Sequence, residues 1–309
     1  MSRIKHVTAH STLTLLLVWL AACASAEGDS EAQSSAAAES ASAGRQPVRV
    51  ASIAGFDIPE SAIHDPDQDV YLVTNINGEF TAKDNNGYVS RLLPDGSIEN
   101  LKFIAGGVAG VTLHAPKGTA FAGDTLWIAD IDALRGFDKH TGVPLASIDL
   151  SGAGAAFLND VALGPDGTIY LSDSRSNRVL QVAPDRTVSV ALQGDTLAMP
   201  NGLFWDDESG RLLVACYRGT TIFAWRPGEH AVELFAVGPG GFDGMERLAD
   251  GRLVISSWTT SAVHVLADTG FQTLIEGVPS PGDIGVDVQR NRILIPILTE
   301  NRVEIWEVR

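Results

Sequence analysis

From Pro47 onward, apolar positions alternate with polar ones in short runs, and turn residues separate the runs. The stretch after Leu158 shows the pattern most clearly. Asp160–Leu163 is a short apolar run, and Pro165-Asp166-Gly167 is a turn. Thr168-Ile169-Tyr170-Leu171-Ser172 alternates and is β-branched or aromatic. Ser174–Asn177 turns, Arg178–Val182 alternates, Pro184-Asp185-Arg186 turns and Thr187–Leu192 alternates again. Four strands joined by turn chemistry in about forty residues predict one antiparallel blade. No stretch after Pro47 sustains a 3.6-residue apolar period, so helix is expected to be minor.

The unit repeats. Lys117-Gly118-Thr119, Asn159-Asp160-Val161, Asn201-Gly202-Leu203, Asp243-Gly244-Met245 and Asp283-Ile284-Gly285 follow one another at steps of 42, 42, 42 and 40 residues. A period of this length marks an array of like supersecondary units. One more unit opens at Pro59-Glu60-Ser61-Ala62. Its longer step to Lys117 is assigned to an insertion over Asn75–Gly87, between its second and third strands. The last unit ends at Arg302–Trp306 without a fourth strand, which Val48–Ile53 can supply. The prediction is an all-β, six-bladed β-propeller over residues 47–309, with four-stranded antiparallel blades and the N-terminal strand closing the last one.

Composition adds the ends of the chain and its charge. Arg3, Lys5 and His6 precede an apolar run, Leu13–Leu20, too short to span a bilayer as a mature helix. Leu20-Ala21-Ala22-Cys23 resembles a bacterial lipobox, which makes 1–22 a lipoprotein signal peptide and Cys23 the lipidated residue. An ordinary secretory signal cut after Ala24 or Ala26 is the alternative. Residues 23–46 are rich in Ala, Ser and Glu and read as a disordered tether. The expected location is therefore that of an exported lipoprotein, at the outer membrane facing the periplasm or at the cell surface. Contact with the membrane would run only through the lipid on Cys23. Cys216 would then be the one remaining cysteine, a small buried hydrophobe.

The formal charge of −16 argues against nucleic acid as a partner. It suits a cation or a small-molecule substrate, and a monomer is expected. Phosphate-binding Gly loops, Cys/His metal clusters and Ser-His-Asp elbows are absent from the sequence.

In a propeller the innermost strands run beside a central tunnel, so their leading residues form a ring. Glu60, Lys117, Asn159, Asn201, Asp243 and Asp283 are the expected members. Carboxylates and carboxamides are hard oxygen donors that suit Ca²⁺ or Mg²⁺. Polar residues also recur where second strands end, at Asn75, Asp130 and Asp173. These, with Asp132, Tyr217 and Trp258, are expected to rim the same mouth. His114 is a possible base there, although a structural role suits a loop histidine better.

Glu60 in Pro-Glu-Ser-Ala, Asn159 in Leu-Asn-Asp-Val, Asn201 in Pro-Asn-Gly-Leu and Asp243 in Phe-Asp-Gly-Met resemble the gluconolactonase, senescence-marker-protein and luciferin-regenerating-enzyme family. The resemblance runs over residues 48–309. It implies a divalent-metal-dependent hydrolase of a lactone or related ester. Glu60, Asn201 and Asp243 would bind the metal directly, Asn159 would contact metal or substrate, and Asp243 would also be the catalytic base. Ca²⁺ is the expected ion, with Mg²⁺, Zn²⁺ or Mn²⁺ as alternatives. A family arginine that guides substrate has no evident counterpart, since Phe157-Leu158 precede Asn159 here. Lys117 and Asp283 add a charge pair to the ring. Lys117 paired with Glu60, Asp243 or Asp283 would instead make a metal-free ion-pair network, and the protein would be a tethered binding module without chemistry.

Overall fold

A computed structural model describes residues 46–309 apart from His230, and here 24 strands form six four-stranded antiparallel sheets. The expected signal peptide, Cys23 and all but the last residue of the tether lie outside the described residues. Each sheet is one blade, and in the first five the strands follow chain order from the axis outward. The innermost strands are Pro59–Asp65, Pro116–Ala122, Leu158–Leu163, Pro200–Asp206, Phe242–Arg247 and Gly285–Asp287. Val48–Ala54 pairs antiparallel with Arg302–Glu307 and completes the sixth blade. The two ends of the propeller therefore share one sheet, and the outer edge of Arg302–Glu307 is covered.

The insertion falls where the sequence places it, between Val70–Asn75 and Tyr88–Leu92. There are four short 3₁₀ turns, Ser151–Ala153, Ser174–Ser176, Asp195–Leu197 and Leu298–Glu300; the second lies in the expected turn Ser174–Asn177, and the other three were not expected. Each ends in a residue with φ between 44° and 77°, a left-handed cap that a strand-period reading does not reveal.

Packing repeats with the blades. One apolar cluster fills each of the six gaps between neighbouring blades. In the gap between blades three and four, Trp205 stacks on Tyr170 at 5.9 Å and Trp225 meets the same ring edge-on at 6.0 Å. On the face opposite the mouth, charged clasps link blades one to two and six to one. Lys139 Nζ bonds Asp67 at 2.6 Å beside Asp65, and Arg290 bonds Asp69 and Asp287 at 2.6 and 2.9 Å. Among the described residues no helix is long and apolar enough to cross a membrane. Cys216 is free and buried, and burial pushes its thiol up to about 12.

Candidate functional site

The site is built by a bulge repeated in five blades. Pro59 pairs with Asn75 and Ala62 with Val73, so Glu60 and Ser61 together face Thr74 alone. The same two-against-one step sets Lys117-Gly118 against Ala129, Asn159-Asp160 against Ser172, Asn201-Gly202 against Ala215 and Asp243-Gly244 against Ser256. A bulge breaks the ladder locally and re-aims the side chains it carries. In blades one, three and five, the facing hydroxyl accepts the amide that the bulge sets free. Ser61 N donates to Thr74 Oγ1, Asp160 N to Ser172 Oγ and Gly244 N to Ser256 Oγ, each at 2.9 Å.

Five leading residues thus stand at one level: Glu60, Lys117, Asn159, Asn201 and Asp243. The sixth is not Asp283. Pro281 bridges Ile297 in the way that Phe242 pairs with Ser257, which puts Gly282 at the ring position. Asp283 falls one residue further on, level with Ser61 and Asp160, because a one-residue slip sends a strand's side chains elsewhere. There it accepts from Ser61 Oγ at 2.7 Å and its amide donates to Glu60 O at 2.8 Å. A side chain at position 282 would not fit, since a Cβ on Gly282 would lie 2.3 Å from Glu60 O.

The five residues line a cavity of about 230 Å³. Phe80, Phe157, Ser174, Met199, Tyr217, Trp258 and Leu298 complete its walls. Among these five residues three buried side-chain oxygens have no hydrogen-bond partner: Glu60 Oε2, Asn201 Oδ1 and Asp243 Oδ1. Trp258 Nε1 donates to the other Asp243 oxygen at 2.8 Å. Asp160 lies beneath, taking Val161 N and Leu203 N, both at 2.6 Å, and so ties blade three to blade four.

The electrostatics are those of a carboxylate cluster short of positive charge. Burial raises Glu60 well above the usual carboxylate range, and Asp243 and Asp283 raise it further. Burial, then Asp283, pushes Asp243 up to about 8, against the pull of the Trp258 donor. Burial pushes Asp283 up to about 7. Lys117 is almost wholly buried, and burial brings its ammonium down to about 8 despite Glu60.

Lys117 does not form the anticipated ion-pair network. Its Nζ donates to Ala115 O at 3.0 Å and Phe80 O at 3.3 Å and sits 4.7 Å from the centre of the Phe157 ring. No carboxylate among the described residues pairs with it. The exposed Arg175 guanidinium lies against the same ring at 4.6 Å.

Asp130, Asp173 and His114 stand away from the cavity. Asp130 accepts His114 N and Ala115 N at 3.0 and 2.9 Å and pairs with Arg135. Asp173 accepts Phe157 N at 3.0 Å and pairs with Arg178. Both carboxylates are fully buried, and they hold the segment that leads into their own blade's inner strand. Asn75 does the same for Asp57 N at 3.2 Å. The recurrence of polar residues at these strand ends reflects that repeated fastening. His114 Nδ1 accepts Asn85 N at 3.0 Å and anchors the insertion. Trp258 and Tyr217 do line the cavity and meet edge-on at 5.8 Å. Phe80, Met199 and Leu298 were not foreseen, because loop and 3₁₀ residues reach the mouth from outside the repeated strands.

A divalent cation fits these residues. Three partnerless oxygens from two carboxylates and a carboxamide face one cavity, and hard oxygen donors suit such an ion. Among the described residues no three His, Cys, Asp or Glu side chains form a group that could hold a metal. Any cation at this site would therefore need the carboxamide oxygens as well.

No protein-family model and no curated protein matches the sequence. Solved structures do match in fold. A gluconolactonase from Xanthomonas campestris is 19% identical, with 85% of this chain and 89% of that one covered and a TM-score of 0.63. A candidate gluconolactonase from structural genomics is 19% identical, with 86% and 93% covered and a TM-score of 0.65. An inactive virginiamycin B lyase from Staphylococcus aureus is 11% identical, with 85% and 99% covered and a TM-score of 0.58. The chain has the six-bladed propeller fold that the gluconolactonase structures share.

Proposed function

We propose that the protein is a divalent-metal-dependent hydrolase of a lactone or related ester, exported and held at a membrane by a lipid on Cys23. The observation that carries the catalytic part is the set of three partnerless oxygens, Glu60 Oε2, Asn201 Oδ1 and Asp243 Oδ1, in one cavity. A cation held by Glu60, Asn201 and Asp243, with Asn159 beside it, would polarise the ester carbonyl as a Lewis acid. Asp243 is the base. Trp258 fixes one of its oxygens; as water adds to the carbonyl carbon the carboxylate takes a proton from it, and it passes that proton to the leaving ring oxygen as the C–O ester bond breaks. Lys117 fixes the Phe80 carbonyl and so sets the shape of the cavity wall.

A lyase reading draws no support from the walls. The inactive virginiamycin B lyase carries an alanine in place of a histidine, and no histidine among the described residues lines this cavity. The test is calcium titration of the full chain followed by lactone hydrolysis, with and without chelator. Calcium is expected to raise the melting temperature and to support turnover. Turnover unchanged by chelator would overturn metal dependence. Absence of turnover on a panel of lactones and esters with calcium bound would overturn the hydrolase.

A further inference from the structure

We infer that the ligand of this cavity is an apolar lactone or ester, a small ring bearing an alkyl or aryl group, and not a polyhydroxylated sugar lactone. The inference deepens the hydrolase reading and rests on it for the reacting group. Its basis is how the cavity divides its chemistry. The buried partnerless oxygens of the cavity are gathered at one place, on Glu60, Asn201 and Asp243. The walls are Phe80, Phe157, Met199, Tyr217, Trp258 and Leu298, almost all aromatic or aliphatic.

Apart from the Tyr217 hydroxyl, the polar groups within those walls are already engaged. Ser174 Oγ donates to Pro200 O at 2.7 Å. Trp258 Nε1 is given to Asp243 Oδ2 at 2.8 Å. Two Lys117 protons go to Ala115 O and Phe80 O. A sugar lactone brings a hydroxyl on nearly every ring carbon, and each must find a partner when it leaves water. This wall offers few. An alkyl or aryl substituent needs none and gains from leaving water.

Phe80 is the element that sets this preference most directly. It is carried by the insertion between the second and third strands of blade one and stays 37% exposed at the lip. The insertion is fastened by its backbone. Lys117 holds the Phe80 carbonyl, and Asn85 bonds His114 Nδ1 at 3.0 Å and Leu113 N at 2.8 Å. The ring itself takes no part in those bonds, so truncating it changes the wall and leaves the fastening in place.

The test compares kcat/KM of the calcium-loaded full chain for δ-decalactone, δ-valerolactone and glucono-δ-lactone. The alkyl lactone is expected to exceed the sugar lactone at least tenfold. Phe80→Ala is expected to shrink the decalactone-to-valerolactone ratio at least threefold, mainly through KM. Equal or better use of glucono-δ-lactone, or an unchanged ratio in Phe80→Ala, would overturn the inference and leave the hydrolase standing. Binding of δ-decalactam, which keeps the shape but resists hydrolysis, separates the two readings when followed by Trp258 fluorescence. If no lactone turns over yet the lactam binds, and binds at least threefold more weakly to Phe80→Ala, the apolar ligand stands and the hydrolase falls. If neither lactam binding nor a preference for the alkyl lactone is seen, the inference falls.

Discussion

Trp258 Nε1 donates to Asp243 Oδ2 at 2.8 Å, and the second oxygen of that carboxylate, Oδ1, is buried without a partner. The indole orients Asp243 and makes its two oxygens unequal. Asp243→Asn should lower kcat by roughly 10²–10⁴-fold, the range of a lost general base. Trp258→Phe should lower it by roughly tenfold, the size of one positioning hydrogen bond of about 1.4 kcal/mol. Lactone hydrolysis beside thermal melts checks both. Full activity of Asp243→Asn with an unchanged melt would remove Asp243 from the chemistry.

Without a cation, stability should fall as pH rises from about 4 to 8. The carboxylates of Asp283 and Asp243 are raised to about 7 and 8 by burial. The folded chain therefore binds protons there that the unfolded chain has lost, and its advantage disappears as pH rises through those values. Calcium should flatten the slope, because it takes the place of the protons. Melting temperatures across pH, in chelator and in calcium, test the point. A slope that is the same in both would show that these carboxylates do not face the ion.

Asp130→Ala should destabilise the fold by about 3 kcal/mol while leaving turnover per folded molecule unchanged. The change removes the acceptor of His114 N and Ala115 N and strands Arg135. Urea unfolding measures the loss. A selective effect on kcat would return Asp130 to the mouth.

Removing residues 1–46 should leave the melting temperature unchanged, whereas removing 1–54 should abolish a cooperative transition. The second deletion takes away Val48–Ala54 and exposes the whole edge of Arg302–Glu307. Calorimetry and light scattering distinguish them. A cooperative melt after the longer deletion would mean that the closing strand is dispensable.

Cys23→Ser should shift the protein from the membrane fraction to the soluble exported fraction. Labelled fatty acid incorporation measures this directly. Undiminished membrane association of the variant would overturn the lipid anchor.

Blade number, strand order and closure were all legible in the sequence, because period and alternation are local signals that repeat. Five ring members were legible too, through their Pro-Glu, Pro-Lys, Leu-Asn, Pro-Asn and Phe-Asp contexts. Asp283 was misplaced because the phrase that repeats hides a one-residue slip, which only the Pro281–Ile297 bridge exposes. Asp130 and Asp173 were read as rim groups because a carboxylate at a strand end looks the same whether it faces solvent or backbone amides. Phe80, Met199 and Leu298 could not be read at all, since their place depends on how loops fold back over the axis.

Gly282 gives the ring of side chains a gap beside Glu60. Six like side chains would leave a ligand six equivalent orientations about the axis. The gap and the unlike members abolish that equivalence: going around the axis one way meets acid, amine, amide, amide, acid and then nothing. A lactone that sets its carbonyl against the Glu60, Asn201 and Asp243 oxygens therefore has one orientation about the axis instead of six.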